Sequence, residues 1–369
     1  MIIMQYDEAS FLSGVAVGRN MKSWPSFAIG GRVWAFTVEL IEANLSFTLP
    51  IRYVAPEDID ITISWGDGTV SQITSRNIGG VNHQYGEAGT YTVVAFGLPN
   101  EAMMLLTGAS AKFQASLIRL HSPILPTGDS GSVNRFTGTY DYSTESIFGH
   151  KIPVIDKKLL DYYRDRTGNV LDLVSMFSPC YALTEVPDSL FDGIDFTLSN
   201  GSVNNMFANC RALGSVGSIF NNPAFVDVTN AGSVFYQCSR LSEIPGDLFS
   251  QMAGLQAVGY AFSKTSLSSI PEDLFSYSHD FYSFQYTFWD CLNLRSIPES
   301  LFDNIVDSED LNFRSCFSGC SGITGPVPEL WNKFPLCTKS EGCFSGCINA
   351  SNYDDIPIRW GGPKGDEMP

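Results

Sequence analysis

The stretch "FWDCLNLRSIPESLF", residues 288–302, decides how the second half of this chain is read, because the same phrase occurs twice more. Residues 235–249 read "FYQCSRLSEIPGDLF" and residues 177–191 read "FSPCYALTEVPDSLF", and the three frames superimpose without a gap. A catalytic motif is needed once per active site. A phrase that recurs at a fixed interval instead marks architecture, in which each copy buries its apolar side on the next. Working outward, copies begin at Phe177, Phe207, Phe235, Phe262, Phe288, Phe317 and Phe344, spaced 26 to 30 residues apart. Six of these seven carry Cys three positions later: Cys180, Cys210, Cys238, Cys291, Cys320 and Cys347. The copy at Phe262, "FSKTSLSSIPEDLF", is one residue short and has Thr265 in place of Cys. An imperfect copy at Phe148, "FGHKIPVIDKKLL", reads as an entry cap.

Each position has an expected task. Phe and Cys at i and i+3 are expected on one face of a single helical turn, pointing inward. Leu241 and Ile244, with their equivalents, anchor a short extended segment. The Pro after Ile suits the first position of a short helix, where a backbone N–H has no intrahelical partner. Acidic residues follow (Asp188, Asp247, Glu272, Asp273, Glu299, Glu329), favourable beside the positive helix end. The Leu-Phe pair then closes the layer. Two copies depart from the pattern: "LGSVGSIF" at 213–220 and "ITGPVPELW" at 323–331.

Upstream, residues 35–120 carry "ITISWGDGTV" and "VNHQYGEAGTYTVVAFG". Ile61, Ile63 and Trp65 alternate with polar residues and so share one face of a strand, with Tyr91 and Val93 on one face of a second. Gly66-Asp67-Gly68 is a tight turn in which Asp67 bonds neighbouring backbone N–H groups. No second carboxylate stands in that turn, so Asp67 is read as structural and not as a metal ligand or general base. This pair of phrases resembles the PKD-type immunoglobulin-like β-sandwich, through Trp65-Gly66-Asp67-Gly68 and through His83, Tyr85, Gly89, Tyr91 and Val93. The resemblance implies a spacer or adhesion module.

The repeats resemble the BspA-like leucine-rich-repeat surface proteins, in the branch with F-x-x-C-x-x-L-x-x-I-P-x-x-L-F copies, which a PKD-like domain often precedes. The fold class implied is mostly β with short helices: a PKD/immunoglobulin-like β-sandwich followed by a leucine-rich-repeat-type solenoid. The segments are then 1–34, an N-terminal attachment element; 35–120, the sandwich; 121–147, a polar connector; and 148–369, the solenoid with its caps. Such repeats serve as binding scaffolds, so the resemblance carries fold further than function.

Composition narrows the role. Apolar residues make up 44% and charged residues 17%, which places the chain among ordered globular proteins. A formal charge of −17 argues against nucleic acid, whose phosphates call for Lys and Arg, and against anionic lipid surfaces. The opening "MIIMQYDEAS" does not read as a secretory signal, and no apolar run is long enough for membrane insertion.

The nine cysteines are read as buried thiols, six of them in the repeat column with Cys316, Cys337 and Cys343 extra. "CFSGC" occurs twice, at 316–320 and 343–347, but without a close Cys or His pair to complete a zinc site. His83, His121, His150 and His279 are scattered and stand in no nucleophile–base pattern. No catalytic, cofactor-binding or metal residue is therefore expected, and no cofactor.

The stretch "SYSHDFYSFQYTFWDC", 276–291, is where binding is expected. Tyr282, Phe284, Tyr286 and Phe288 alternate and are placed inside. Tyr277, Phe281 and Trp289 fall off that register and are placed on the surface as candidate partner-binding residues. Residues 11–24, "FLSGVAVGRNMKSW", resemble the short leaders of phage tail-region proteins. These readings fit a virion protein assembled in the host cytoplasm and sited on the tail, baseplate or capsid exterior. Its N-terminal segment would dock onto other virion proteins, and its solenoid would grip a host-surface glycan or protein. A bacterial cell-surface adhesin and an intracellular interaction scaffold share the same features.

Overall fold

The computed structural model describes residues 32–42, 45–54, 61–74, 77–98, 103–104, 116–120, 134–135, 152–155, 157–164 and 167–365. The proposed attachment segment lies outside the described residues apart from 32–34, and His121 and His150 lie outside them, while the imperfect copy at Phe148 is described from Ile152 with Ile152, Ile155, Leu159 and Leu160 buried. The described chain is mostly non-helical, with antiparallel sheets and a few short helices such as Asp161–Arg164 and Leu330–Lys333. It divides into two compact units, Met1–Asp129 and Ser130–Pro369.

In the first unit, strands β1 (Arg32–Leu40), β2 (Ser46–Val54), β3 (Ile61–Ser64), β4 (Val70–Ile73), β5 (Asn77–Gln84), β6 (Gly89–Leu98), β7 (Met103–Met104) and β8 (Leu117–Leu120) form two antiparallel sheets. One has the order β4-β3-β6-β1-β8 and the other β5-β2-β7. Alternation in β3 works as expected: Ile61, Ile63 and Trp65 are fully buried. Phe47 of the smaller sheet lies 6.1 Å from Phe36 and 6.4 Å from Trp65 of the larger, so the two sheets share aromatic contacts.

The two phrases read from sequence meet in one cluster. Gly66 has φ +81°, and a Cβ there would stand 2.6 Å from the Thr92 carbonyl oxygen, so only glycine fits the turn. The Asp67 carboxylate accepts from the Thr69 backbone N–H at 2.9 Å and from its hydroxyl at 2.6 Å, and pairs with His83 Nε2 at 2.7 Å. The His83 ring stacks on Trp65 at 4.5 Å, and the Tyr85 hydroxyl donates to the Trp65 carbonyl at 2.9 Å. Because His83 belongs to β5 and Trp65 follows β3, this cluster ties one sheet to the other.

In the second unit the seven phenylalanines stand in one file, all fully buried. Successive rings stack at 5.2, 5.4, 5.8, 5.4, 5.2 and 5.7 Å, from Phe177–Phe207 to Phe317–Phe344. Backbone bonds run in step with the rings. Phe207 N–H donates to the Val234 carbonyl at 2.9 Å, Phe235 to Ala261 at 2.9 Å, Phe262 to Thr287 at 2.9 Å and Phe288 to Cys316 at 2.8 Å. Alongside runs a ladder of parallel bridges through Ser202, Asn230, Ala257, Ser283, Asn312 and Lys339. Strands β9 (Asn134–Arg135), β10 (Asn169–Asp172) and β11 (Phe196–Leu198) pair in parallel within the same unit. At the other end Trp360 covers Phe344, taking its N–H at 2.8 Å.

The turn around each Phe departs from the expected helical one. Residues two before and two after the ring have positive φ: Asn205 and Asn209, Ser233 and Gln237, Tyr260 and Lys264, Tyr286 and Asp290. This left-handed punctuation points the N–H groups at −2, 0 and +2 toward the next copy; Tyr260, Phe262 and Lys264 donate to Gln285, Thr287 and Trp289. A helical turn would have directed them inside the copy. Cys is still buried at +3, and the structure gives it a task. Its thiol donates to the preceding Phe carbonyl, as Cys238 does to Phe207 at 3.1 Å and Cys320 to Phe288 at 3.0 Å. Thr265, in the copy without Cys, donates its hydroxyl instead to the Phe262 carbonyl of its own copy at 2.7 Å. The Pro of Ile-Pro precedes its turn and does not open it: the Pro298 carbonyl receives Leu301 N–H at 3.2 Å at the head of a 3-10 turn, Glu299–Phe302.

Burial pushes the Asp67 carboxyl up, but the hydrogen bonds from Thr69 and His83 outweigh it and hold the group below the ordinary aspartate value. Stability gained this way is present above the unfolded-state value and is lost as pH falls through the lower folded-state value. Asp67→Asn is expected to cost about 1–3 kcal/mol at neutral pH. It should also flatten the acid limb of the first unit's stability curve, read by urea titrations at a series of pH values.

Candidate binding surface

The residues singled out in 276–291 separate. Tyr277 is 36% exposed, and burial together with the charges of Asp273 and Asp247 raises its phenol above the usual range. Phe281 is 5% exposed and packs on Phe275 and Phe284 at 5.4 and 5.0 Å, so it belongs to the core and not to a binding surface. Trp289 is partly exposed. Strict alternation also fails: Tyr282 is 47% exposed and Tyr286 is partly exposed, while Phe284 and Phe288 are buried. The left-handed residue at 286 breaks the two-residue period from that point on.

Around Trp289 the repeat geometry assembles a cluster that the sequence does not display as contiguous. Tyr260 and Tyr286 hold the same position, two before the Phe, in successive copies; their rings stack at 4.6 Å and 17°. Trp289 meets Tyr286 edge-on at 5.6 Å and Tyr260 at 6.5 Å. Tyr236 meets Tyr260 edge-on at 6.2 Å, and its hydroxyl accepts from Gln237 Nε2 at 2.9 Å. The Lys264 ammonium sits over the Trp289 ring at 4.4 Å, worth about 0.5–1 kcal/mol at a surface position. Burial, and then the neighbouring phenols of Tyr286 and Tyr236, raise the Tyr260 hydroxyl above its ordinary value, as expected where three phenols converge. All of these side chains are partly exposed.

Backbone cost falls on the same patch. At the positions flanking the Phe, other copies use Asn205, Asn209, Ser233, Ser315, Gly319, Gly342 and Gly346. Left-handed φ costs a residue with a Cβ roughly 1–2 kcal/mol, least for Asn, and Gly is spared. Here the positions hold Gln237 (φ 59°), Tyr260 (φ 59°), Lys264 (φ 59°) and Tyr286 (φ 56°), with Asp290 (φ 57°) the one type among them that tolerates it as Asn does. Bulky residues kept in such a conformation point to use of their side chains.

Other chemistry-bearing groups are occupied structurally. All nine cysteines are buried, and burial pushes the Cys347 thiol up to about 12. Among the described residues, no group of three or more His, Cys, Asp or Glu is placed to hold a metal ion. His279 Nδ1 lies 3.3 Å from the Asn304 carbonyl. Among the described residues, no helix is long and apolar enough to cross a membrane. No family model, curated protein or solved structure matches this chain.

The patch and the ring file differ energetically. Phe288→Ala should cost about 3–5 kcal/mol, the range for emptying a buried Phe site. Tyr286→Asn, two residues away, should stay within about 1 kcal/mol, because relief of the left-handed backbone offsets the lost ring contact. Denaturant titrations of the two variants give this contrast directly. Equal losses would mean that Tyr286 is a core residue.

Proposed function

We propose that this chain is a non-enzymatic display protein of a bacteriophage virion, which presents a binding surface to the host cell. In this reading the second unit is a leucine-rich-repeat-type solenoid of the BspA-like kind and the first is a PKD-like sandwich that spaces it. The N-terminal segment, 1–34, attaches to other virion proteins. The observation that carries the reading is the partly exposed cluster of Tyr236, Tyr260, Tyr286 and Trp289 on a hydrogen-bonded stack, with Tyr260 and Tyr286 held in costly backbone conformations. Rigid amphipathic rings on an immobile base suit recognition, because little conformational entropy is lost when a partner arrives.

The formal charge of −17 also favours a dispersed, non-aggregating particle component over a nucleic-acid or anionic-membrane binder. The virion setting draws on the likeness of residues 11–24 to phage tail-region leaders. A bacterial cell-surface adhesin is the competing setting for the same binding role.

Peptide mapping of purified particles and of host envelope fractions distinguishes the two. The chain is expected in particles; its absence there with abundance in envelopes would overturn the virion assignment. Within particles, Trp289→Ala with an unchanged melting curve is expected to weaken adsorption to host cells. Unchanged adsorption would remove the binding role from this patch.

A further inference from the structure

Tyr286 and Trp289, inclined to each other by 68°, each have one ring face covered. Tyr260 stacks on Tyr286 and the Lys264 ammonium covers Trp289, and both partners belong to the copy of Phe262. The copy of Phe317 lies on the other side, since Phe288 stacks between Phe262 and Phe317 at 5.4 and 5.2 Å. In that copy the positions equivalent to Tyr286 and Trp289 are Ser315 and Ser318, followed by Gly319. The next copy continues with Gly342, Ser345 and Gly346. Where the preceding layers build an aromatic wall, the following layers therefore drop to a step of hydroxyls and glycines. The free face of Tyr286 looks over that step, with Trp289 inclined to it by 68° alongside.

The charges around the step balance. Lys264 stands on the wall side, the Asp290 carboxylate reaches over Gly319 of the step, and Arg314 pairs with Glu341 at 3.3 Å on the step side. The chain as a whole carries −17, so this is a locally neutral site on an acidic molecule. No surplus of cations is present to neutralise a polyanion. A purely apolar partner would strip water from Ser315, Ser318 and Asp290 without replacing their hydrogen bonds, which is unfavourable. The fitting ligand has one flat apolar face for the Tyr286 ring, hydroxyls at its rim for the serines and carboxylate, and no charge. A hexopyranose unit has that chemistry.

We infer that the face of Tyr286 turned toward Ser315 binds a neutral hexose unit of a glycan, with Trp289 standing edge-on beside it and the serine step holding its hydroxyls. The inference rests on the binding role proposed above and specifies its ligand class. The test is isothermal titration of the full chain with three separate probes, linear hexasaccharides of glucose, galactose and mannose. At least one is expected to bind, with a change in tryptophan emission that the Trp289→Ala variant lacks. Trp289→Ala and Tyr286→Asn should each weaken that probe at least about tenfold, as for a central contact residue. Ser318→Arg, which fills the step and leaves both rings intact, should abolish binding and keeps the test valid if a ring variant fails to fold.

Absence of binding by all three probes would overturn the inference. So would wild-type affinity in Ser318→Arg, or binding of a sulfated oligosaccharide or a peptide where the neutral sugars fail. Glycan binding can fail while Trp289→Ala still reduces adsorption to cells; in that case the binding role survives and the ligand class does not.

Discussion

The second unit depends on backbone N–H groups that leave one copy and end on the next. In the five copies from Phe207 to Phe317, three donors, at the Phe and at the residues two before and two after it, point the same way because left-handed residues flank the ring. Buried backbone donors without partners are costly, so each copy requires its successor. The phenylalanine file follows from that backbone register, since equivalent residues must superimpose once their N–H and C=O groups are joined. Cysteine is suited to its position for a related reason. It is small enough for the interior, and its thiol donates to the carbonyl of the preceding Phe.

A stack joined this way has a well-fixed interior and permits variation outside. At the position two before the Phe, residues range from Asn205 and Ser233 through Tyr260 and Tyr286 to Ser315 and Gly342, while the ring behind them is always Phe. The surface is thus free to change over a constant base. Among the described residues, an aromatic concentration on that surface includes the left-handed Tyr260 and Tyr286, and that coincidence is the physical basis for reading it as a binding surface.

Much of this was legible in the chain. The copies, their start points and the inward Phe, Cys, Leu and Leu-Phe positions could be read because identical side chains at a fixed interval have to meet identical environments. The strand carrying Ile61, Ile63 and Trp65, and the turn at Gly66, could be read from local alternation and glycine placement. What could not be read was the backbone inside each copy. Nothing in "FQYTFWDC" declares left-handed φ at Tyr286, because that position holds a residue that ordinarily avoids it. Alternation therefore assigned Tyr286 to the interior and Phe281 to the surface, the reverse of what is found. Aligning Tyr260 with Tyr286 as one column of the repeat was the available signal for the cluster. It needed the copies to be compared position by position across layers.

Amide hydrogen exchange, resolved by residue, tests the central claim most directly. The N–H groups of Phe207, Phe235, Phe262, Phe288 and Phe317, with those of Asn205, Ser233, Tyr260, Tyr286 and Ser315, should be the slowest to exchange and should open together. Exchange at these ten amides as fast as in an unstructured peptide, or at rates that differ independently from copy to copy, would contradict a stack held by bonds between its layers.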